Sequence, residues 1–239
     1  MVKSQFKLEV CVASVEDALA AESGGADRLE LNMALELGGL TPSAGLLQEV
    51  RQAVQLPVIA MVRPRAGGFC YSRAESLLMM RDAELLLGLG ADGLAAGALL
   101  QGGTLDVRFL SELVRMAGSR EVVFHRAFDI LSQQDEALRR LIDLGVTRVL
   151  TSGGRDTAWE GREQIARLGR LAGNRIEILP GSGITPESVT ALIHATGCDQ
   201  VHGSFRQMRH DPAGCVADGS YPATSQSRVA EVRAALNRC

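Results

Sequence analysis

Lysine is almost missing from this chain. Of its 25 basic residues only Lys3 and Lys7 are lysines, and the rest are arginines. Both lysines lie ahead of or at the start of the first predicted strand, away from any strand end that could carry a reacting group. Because a Schiff base needs a lysine amine beside the substrate carbonyl, the sequence disfavours the lysine-dependent aldolases.

Disulfides, targeting segments and membrane spans are also absent from the pattern. The five cysteines are scattered without a C-x-x-C pair, and their odd number does not indicate a disulfide framework. The most apolar segment, residues 85–100, contains four glycines and Asp92, which excludes a membrane span. The polar residues 1–7 do not resemble a signal or transit peptide. We therefore expect a cytoplasmic protein with reduced thiols.

The net charge and the composition indicate what kind of molecule the protein binds. The net charge is −3 and no block of like charge stands out, so we expect no nucleic-acid surface. Only 4% of the residues are aromatic, whereas alanine, leucine, valine and glycine are abundant. That composition is typical of alternating strands and helices, and the expected partner is a small molecule.

Eight apolar runs that read as strands alternate with eight helical segments. In a chain of 239 residues this alternation predicts an α/β protein, a single-domain (β/α)8 TIM barrel over residues 1–239. The alternative, an open doubly wound sheet, would be expected to have fewer strands and a switch point. We predict that Thr41 and Pro42 begin the second helix and that Ser72 and Glu75 cap the third. Residues 205–226 are rich in glycine, serine, proline and aspartate, which predicts a long irregular loop before the last helix.

Ionisable residues interrupt the apolar strands near their C-terminal ends, where TIM barrels carry their active sites. The clearest example is the run 122–129, in which apolar residues are followed at once by His125 and Arg126 and then by Asp129. Charged groups inside a barrel need partners, so one interpretation is a fixed ion-pair network and the other is a functional pocket.

In the functional interpretation the residues divide by role. Acid–base roles are assigned to Glu9, Glu30, His125 and Asp129. His125 also fits a metal ligand or a structural histidine. Backbone N–H groups after strands seven and eight suit phosphate, although turns alone would explain the same glycines. The residues assigned to binding a small anion are Arg63, Arg65, Arg126, Thr151, Ser152, Gly181, Ser182, Gly183, His202 and Ser204.

The combined motifs resemble the CutC family of copper homeostasis proteins. They lie between about residues 8 and 204, and they are Glu9–Val12, Gly24–Leu31, Gly38–Ser43, Val62–Arg65, Gly67–Phe69, Tyr71–Ser72, Phe124–Asp129 and Arg148–Gly153. The resemblance implies a TIM barrel, a cytoplasmic location, copper handling and a homodimer or larger homo-oligomer.

The resemblance also implies a copper site built from cysteines at the ends of strands one and two. The first is Cys11, but the second position is Asn32. Because Cu(I) favours thiolate and thioether ligands, either Cys11 works with another soft group such as Met33, Met61 or Cys70, or this chain does not bind copper tightly. Two hypotheses follow: a copper-binding homeostasis protein with Cys11 as ligand, or an enzyme acting on a small phosphorylated or carboxylated metabolite.

Overall fold

Eight parallel strands alternate with helices in the computed structural model, which describes residues 6–213 and 219–239. The strands are β1 Lys7–Val12, β2 Arg28–Leu31, β3 Val58–Met61, β4 Gly93–Ala96, β5 Glu121–Phe124, β6 Arg148–Thr151, β7 Glu177–Pro180 and β8 Gln200–Gly203. The helices are α1 Val15–Ser23, α2 Ala44–Ala53, α3 Arg73–Gly88, α4 Val107–Ala117, α5 Gln134–Leu144, α6 Arg162–Ala172, α7 Val189–Thr196 and α8 Gln226–Leu236. Short 3-10 helices follow β2, at Leu35–Leu37, and β5, at Arg126–Ile130.

The sheet runs in the order β7, β6, β5, β4, β3, β2, β1, β8. β1 pairs with both β2 and β8, so the first and last strands of the barrel are neighbours in the sheet. Between β7 and β8 a single parallel bridge, from Gly181 to His202, connects the two edges. The result is a nearly closed barrel, which confirms the predicted (β/α)8 fold.

The barrel interior is mainly apolar along β3 to β7, where Arg148 on β6 is a buried exception, and polar along β1, β2 and β8. Six apolar side chains from β3 to β7 form one cluster; they are Ile59, Met61, Ala95, Val123, Leu150 and Leu179. The inward positions of β1, β2 and β8 carry polar residues instead, among them Glu9, Glu30 and His202, all buried. Burying charges is costly unless they are paired, so this polar side identifies where partners or ligands must be sought.

Helix starts follow local capping chemistry. The Ser72 hydroxyl and the Glu75 carboxylate form the predicted reciprocal capping box of α3. The predicted start of α2 is wrong: Ser43, not Thr41, accepts the capping bond, and the helix begins at Ala44. The Thr41 hydroxyl instead bonds both the N–H and the C=O of Arg63, which holds the end of β3.

Where residues 205–226 are described, they do not form an irregular loop. It contains β9 Arg206–His210 and β10 Ser220–Thr224, paired as an antiparallel hairpin, while residues 214–218 lie outside the described part of the chain. β10 is fixed to α1 because the Thr224 N–H donates to the Asp17 carboxylate at 2.7 Å. β9 is mostly exposed and has no alternating apolar pattern, which is why its sequence did not indicate a strand.

Within the described residues, no helix combines the length and apolar character needed to cross a membrane.

Candidate functional site

A cavity of about 190 Å³ opens at the C-terminal mouth of the barrel. The residues that line it come from β1, β2, β3, β6 and β8 and from the segments that follow the strands, including the one after β5. They are Cys11, Glu30, Asn32, Leu35, Gly38, Met61, Arg63, Phe69, His125, Arg126, Leu150, His202, Ser204 and Arg206. A larger groove of about 550 Å³ lies against α5, outside the barrel. The smaller cavity is of interest because of the buried polar groups that surround it.

Glu9 lies below this cavity in a buried ion-pair network. Its carboxylate pairs with the Arg28 guanidinium and lies 3.8 Å from Nη1 of Arg148. Arg148, fully buried, donates to Glu177 at 2.7 Å and to Glu121 at 2.8 Å. Burial alone would raise the pKa of Glu9, but Arg28, His202 and Arg148 outweigh it and lower that pKa well below the usual range. For Glu9 the fixed-network interpretation holds, because its charge is already neutralised by permanent partners.

His202 connects the network to the cavity. Its Nδ1 lies 2.8 Å from Oε1 of Glu9, and its side chain reaches the cavity wall beside Cys11. Burial would lower the pKa of His202, but the neighbouring Glu30, Cys11 and Glu9 side chains raise it well above the ordinary value. The raised pKa favours the imidazolium form of His202, in which Nδ1–H donates to Glu9.

Glu30 is the carboxyl group that faces the cavity. Asn32 Nδ2 donates to its Oε1 at 2.9 Å and fixes its orientation, while its Oε2 is buried without a hydrogen-bond partner. Burial raises the pKa of Glu30, and the nearby Glu9 charge adds to the increase against the opposing effect of His202. A raised pKa makes the Glu30 carboxylate a stronger base than an exposed one.

His125 is held neutral, with one nitrogen committed to the backbone. Its Nδ1 accepts the Ala127 N–H at 3.2 Å, so the ring proton lies on Nε2. Burial, followed by the nearby Arg63 charge, lowers the pKa of His125 to about 3. A Cβ at Gly97 would lie 2.5 Å from this ring, so glycine is required there. Because Nε2 carries the proton, His125 is suited to donating a hydrogen bond rather than to holding a metal.

Arg63 clamps the loops over the cavity. Its Nη1 donates to the carbonyls of Leu37 and Gly39 at 3.1 and 3.0 Å, and its Nη2 donates to that of Gly67 at 2.8 Å. Its Nε–H is buried without a partner, and among residues 6–213 and 219–239 no carboxylate forms an ion pair with it. At the wall of the cavity, Arg63 is therefore held by backbone carbonyls and the Phe69 ring, and no carboxylate of the described residues balances its charge.

Two further guanidinium groups stand at the rim. Arg126 donates to Asp129 at 2.8 Å and to Ser152 at 2.9 Å, and its side chain is 44% exposed. Arg206, the first residue of β9, was missed from the sequence because the segment was predicted to be irregular. Its place in the sequence, two residues after Ser204 and close to the end of β8, was the available signal.

Asp129 does not reach the cavity. It accepts hydrogen bonds from Thr151 Oγ1 at 2.5 Å, from the Ser152 N–H at 3.0 Å and from the Gly154 N–H at 3.1 Å. These bonds hold the end of β6 and occupy the carboxylate, so a catalytic role for Asp129 has no geometric support. Thr151 and Ser152, predicted to bind an anion, are buried and are fixed to Asp129 instead.

The remaining predicted anion ligands also lie elsewhere. Arg65 pairs with Glu75 at the start of α3, because the loop carries its side chain toward that helix rather than over the barrel. The Gly181 N–H donates to the Thr151 carbonyl at 3.0 Å, and Ser182 Oγ donates to the Asp156 carbonyl at 2.6 Å. None of the segment Gly181–Gly183 lines the mouth cavity. The structure thus brings together Cys11, Glu30, Arg63, Arg126, His125, His202 and Ser204.

On the polar side of the barrel three possible ligand residues lie close together, but the positive charges around them oppose the binding of a metal ion. Ligand atoms of Glu9, Glu30 and His202 lie within 4.8 Å of one another. Arg28 and Arg148 already neutralise Glu9, and the raised pKa of His202 favours its protonated form, so a hard cation would have to displace these partners. For copper, the soft donors that line the cavity are Cys11 and Met61. The amide of Asn32 occupies the second position, and it is a poor ligand for Cu(I).

Comparison with known proteins gives a consistent family. The model of the CutC family matches residues 6–207. A CutC protein of Treponema denticola is 49% identical over 208 residues, covering 87% of this chain and 85% of the relative. The copper homeostasis protein cutC homolog of Homo sapiens is 46% identical over 204 residues, covering 85% of this chain and 75% of the relative.

Solved structures agree with the fold. A CutC protein of Streptococcus agalactiae superimposes with a TM-score of 0.80 at 32% identity, covering 83% of this chain and 98% of that chain. Thiamine phosphate pyrophosphorylase of Pyrococcus furiosus, at 13% identity and a TM-score of 0.63, covers 100% of this chain and 98% of its own, and shares the fold alone. By the family match and these identities, the chain belongs to the CutC family.

Proposed function

We propose that the mouth of the barrel binds a small anionic metabolite, on which Glu30 acts as a base while His125 donates a hydrogen bond. One observation carries the proposal. Four buried polar atoms without hydrogen-bond partners belong to residues that line the same cavity: Glu30 Oε2, Asn32 Oδ1, Arg63 Nε and His125 Nε2. Leaving such atoms unpaired costs about 1–3 kcal/mol each, so a ligand that pairs with them gains that free energy.

The arrangement also supports the charge of the ligand. Arg63 is buried without a carboxylate partner among the described residues, and Arg126 and Arg206 stand above it. The two carboxylates on the opposite side do not cancel this field, because Glu9 is paired with Arg28 and Arg148, and Glu30 lies beside His202, whose pKa is raised. A phosphate or carboxylate near the rim is therefore favoured over a cation.

The test is a thermal-shift and calorimetric titration with phosphorylated and carboxylated metabolites of three to six carbons. We expect at least one to raise the melting temperature, and we expect Arg206→Gln to weaken its binding about 3–10-fold, with the loss shrinking at high salt. Arg209→Gln is the matched control, since Arg209 is exposed on the same strand and lies outside the cavity lining. The proposal fails if no metabolite shifts the protein, or if Arg206→Gln and His125→Gln both leave the affinity unchanged.

Copper(I) as cargo is the second candidate. The family name supports it, and so does the presence of the Cys11 thiol and the Met61 thioether in one cavity wall. Cys70 is exposed and Met33 is 41% exposed, and neither lines the cavity. With an amide at Asn32 and with His202 Nδ1 engaged by Glu9, the donor set does not fit tight Cu(I) binding, so we place this candidate second.

A further inference from the structure

We propose that the reaction at this mouth is proton transfer next to a carbonyl group, on a short hydroxy-carbonyl compound that ends in a phosphate or a carboxylate. This inference rests on the proposed function and specifies its chemistry. Three residues that line one cavity support it. His125 and Arg63 each have a buried hydrogen-bond donor without a partner, and the Glu30 carboxyl group has a buried oxygen without a partner.

The donors suit a developing oxyanion. When a proton leaves the carbon beside a carbonyl, negative charge moves to the carbonyl oxygen, and a catalyst must stabilise it there. Lys3 and Lys7, the two lysines of the chain, give no Schiff base at a strand end. The Nε2–H of neutral His125 and the Nε–H of Arg63 are unpartnered donors on residues only 3% and 6% exposed. Both are held in place before any ligand arrives, because Ala127 fixes the His125 ring and three backbone carbonyls fix Arg63.

Glu30 is the group placed to take the proton. Its Oε1 is held by Asn32, its Oε2 is free, and burial raises its pKa toward that of a useful base. Glu30 lies on β2 and His125 follows β5, so a ligand in the cavity lies between base and donor. The unpartnered Oδ1 of Asn32 is an acceptor for a substrate hydroxyl.

The substrate and the Glu30 side chain account for every proton and electron pair in the step. Glu30 Oε2 takes a proton from the carbon next to the carbonyl, and the C–H bond breaks. Its electron pair forms a carbon–carbon double bond while the carbonyl π pair moves to oxygen. His125 and Arg63 donate hydrogen bonds to that enolate oxygen. Return of a proton from Glu30 to carbon restores the ketone, and no co-reactant is consumed.

Deuterium incorporation measures this step directly. Three- to five-carbon ketose and aldose phosphates, with hydroxy-2-oxo acids, form part of the binding panel, and those that raise the melting temperature are incubated with protein in D2O and followed by proton NMR. We expect the signal of the hydrogen beside the carbonyl to decrease faster than in protein-free samples. Glu30→Gln should slow that loss about 100-fold or more and keep ligand binding, since the amide preserves shape but cannot accept the proton.

Glu36→Gln is the control, because Glu36 is exposed in the 3-10 helix above β2 and lies outside the cavity lining. It should exchange at the wild-type rate after the same purification. A contaminating isomerase would instead give equal exchange in the Glu30→Gln sample. If panel compounds bind but none exchanges, or if none that binds contains a carbonyl, enolisation is overturned while anion binding stands. Equal exchange by Glu30→Gln and the wild type would also overturn it. If nothing binds, the proposed function itself has failed.

Discussion

His125 should make the folded protein sensitive to mild acid. Its pKa is about 3 in the folded state and 6.5 ordinarily, because burial and Arg63 disfavour the charged ring. Below pH 6.5 the unfolded chain therefore binds a proton that the folded chain refuses. The stabilising contribution of a lowered histidine pKa is present above pH 6.5 and is lost as the pH falls from 6.5 toward 3.

The size of the effect follows from the shift. At pH 5 the unfolded histidine is almost fully protonated and the folded one is not, so the folded state loses about 2 kcal/mol relative to pH 7. Replacement of His125 by glutamine removes this term. The free energy of unfolding of His125→Gln should therefore fall less between pH 7 and pH 5 than that of the wild type, by about that amount.

His202 provides the opposite control. Its pKa is raised in the folded state, so its contribution is present below its ordinary pKa of 6.5 and is lost as the pH rises. His202→Gln should thus steepen the loss of stability on acidification, whereas His194→Gln, on the exposed face of α7, should leave it unchanged. Urea unfolding at pH 7, 6 and 5 measures all four proteins. A wild-type pH profile in His125→Gln would refute the neutral-histidine assignment.

Two further predictions concern the network and the metal. Arg148→Met should lower the free energy of unfolding by about 3–5 kcal/mol, because Glu9 is left in a buried site without one of its cations. Arg139→Met is the control, since Arg139 lies on the exposed face of α5. If Arg148→Met lowered the free energy of unfolding by less than about 1 kcal/mol, the stabilising role of the network would be contradicted. Cu(I) binding is measured by titration against a competing chelator. Cys11→Ala should weaken the affinity for Cu(I) at least about 10-fold, and Asn32→Cys should strengthen it. Unchanged affinity in both variants would show that Cu(I) does not bind in this cavity.

The fold was predictable because strands and helices alternate regularly and parallel strands buried on both faces read as apolar runs. The same alternation predicted which residues point inward, and seven predicted binding or catalytic residues do line the cavity. The alternation could not predict how far along the barrel axis each inward side chain lies. Glu9 and Cys11 share one face of β1, but Glu9 lies in the ion-pair network and Cys11 in the cavity wall.

Residues beyond the strand ends were less predictable, because their directions depend on loop conformation. Asp129 and Arg65 follow strands five and three closely, yet one holds the end of β6 and the other pairs at the start of α3. Arg206 shows the converse, since it reaches the cavity from a hairpin whose sequence has no strand periodicity.

The pairing of Glu9 with His202 has a consequence for how the protein folds. The two side chains are separated by 193 residues along the chain, and they meet through the contact of β1 with β8. Contacts between such distant residues carry a large loop-closure entropy and form only when the intervening structure has already shortened the path. A nascent chain that lacks β8 therefore has Glu9, Cys11 and Glu30 but not the wall that completes their pocket. The site appears as one event with barrel closure, and no fragment that ends before β8 can contain it.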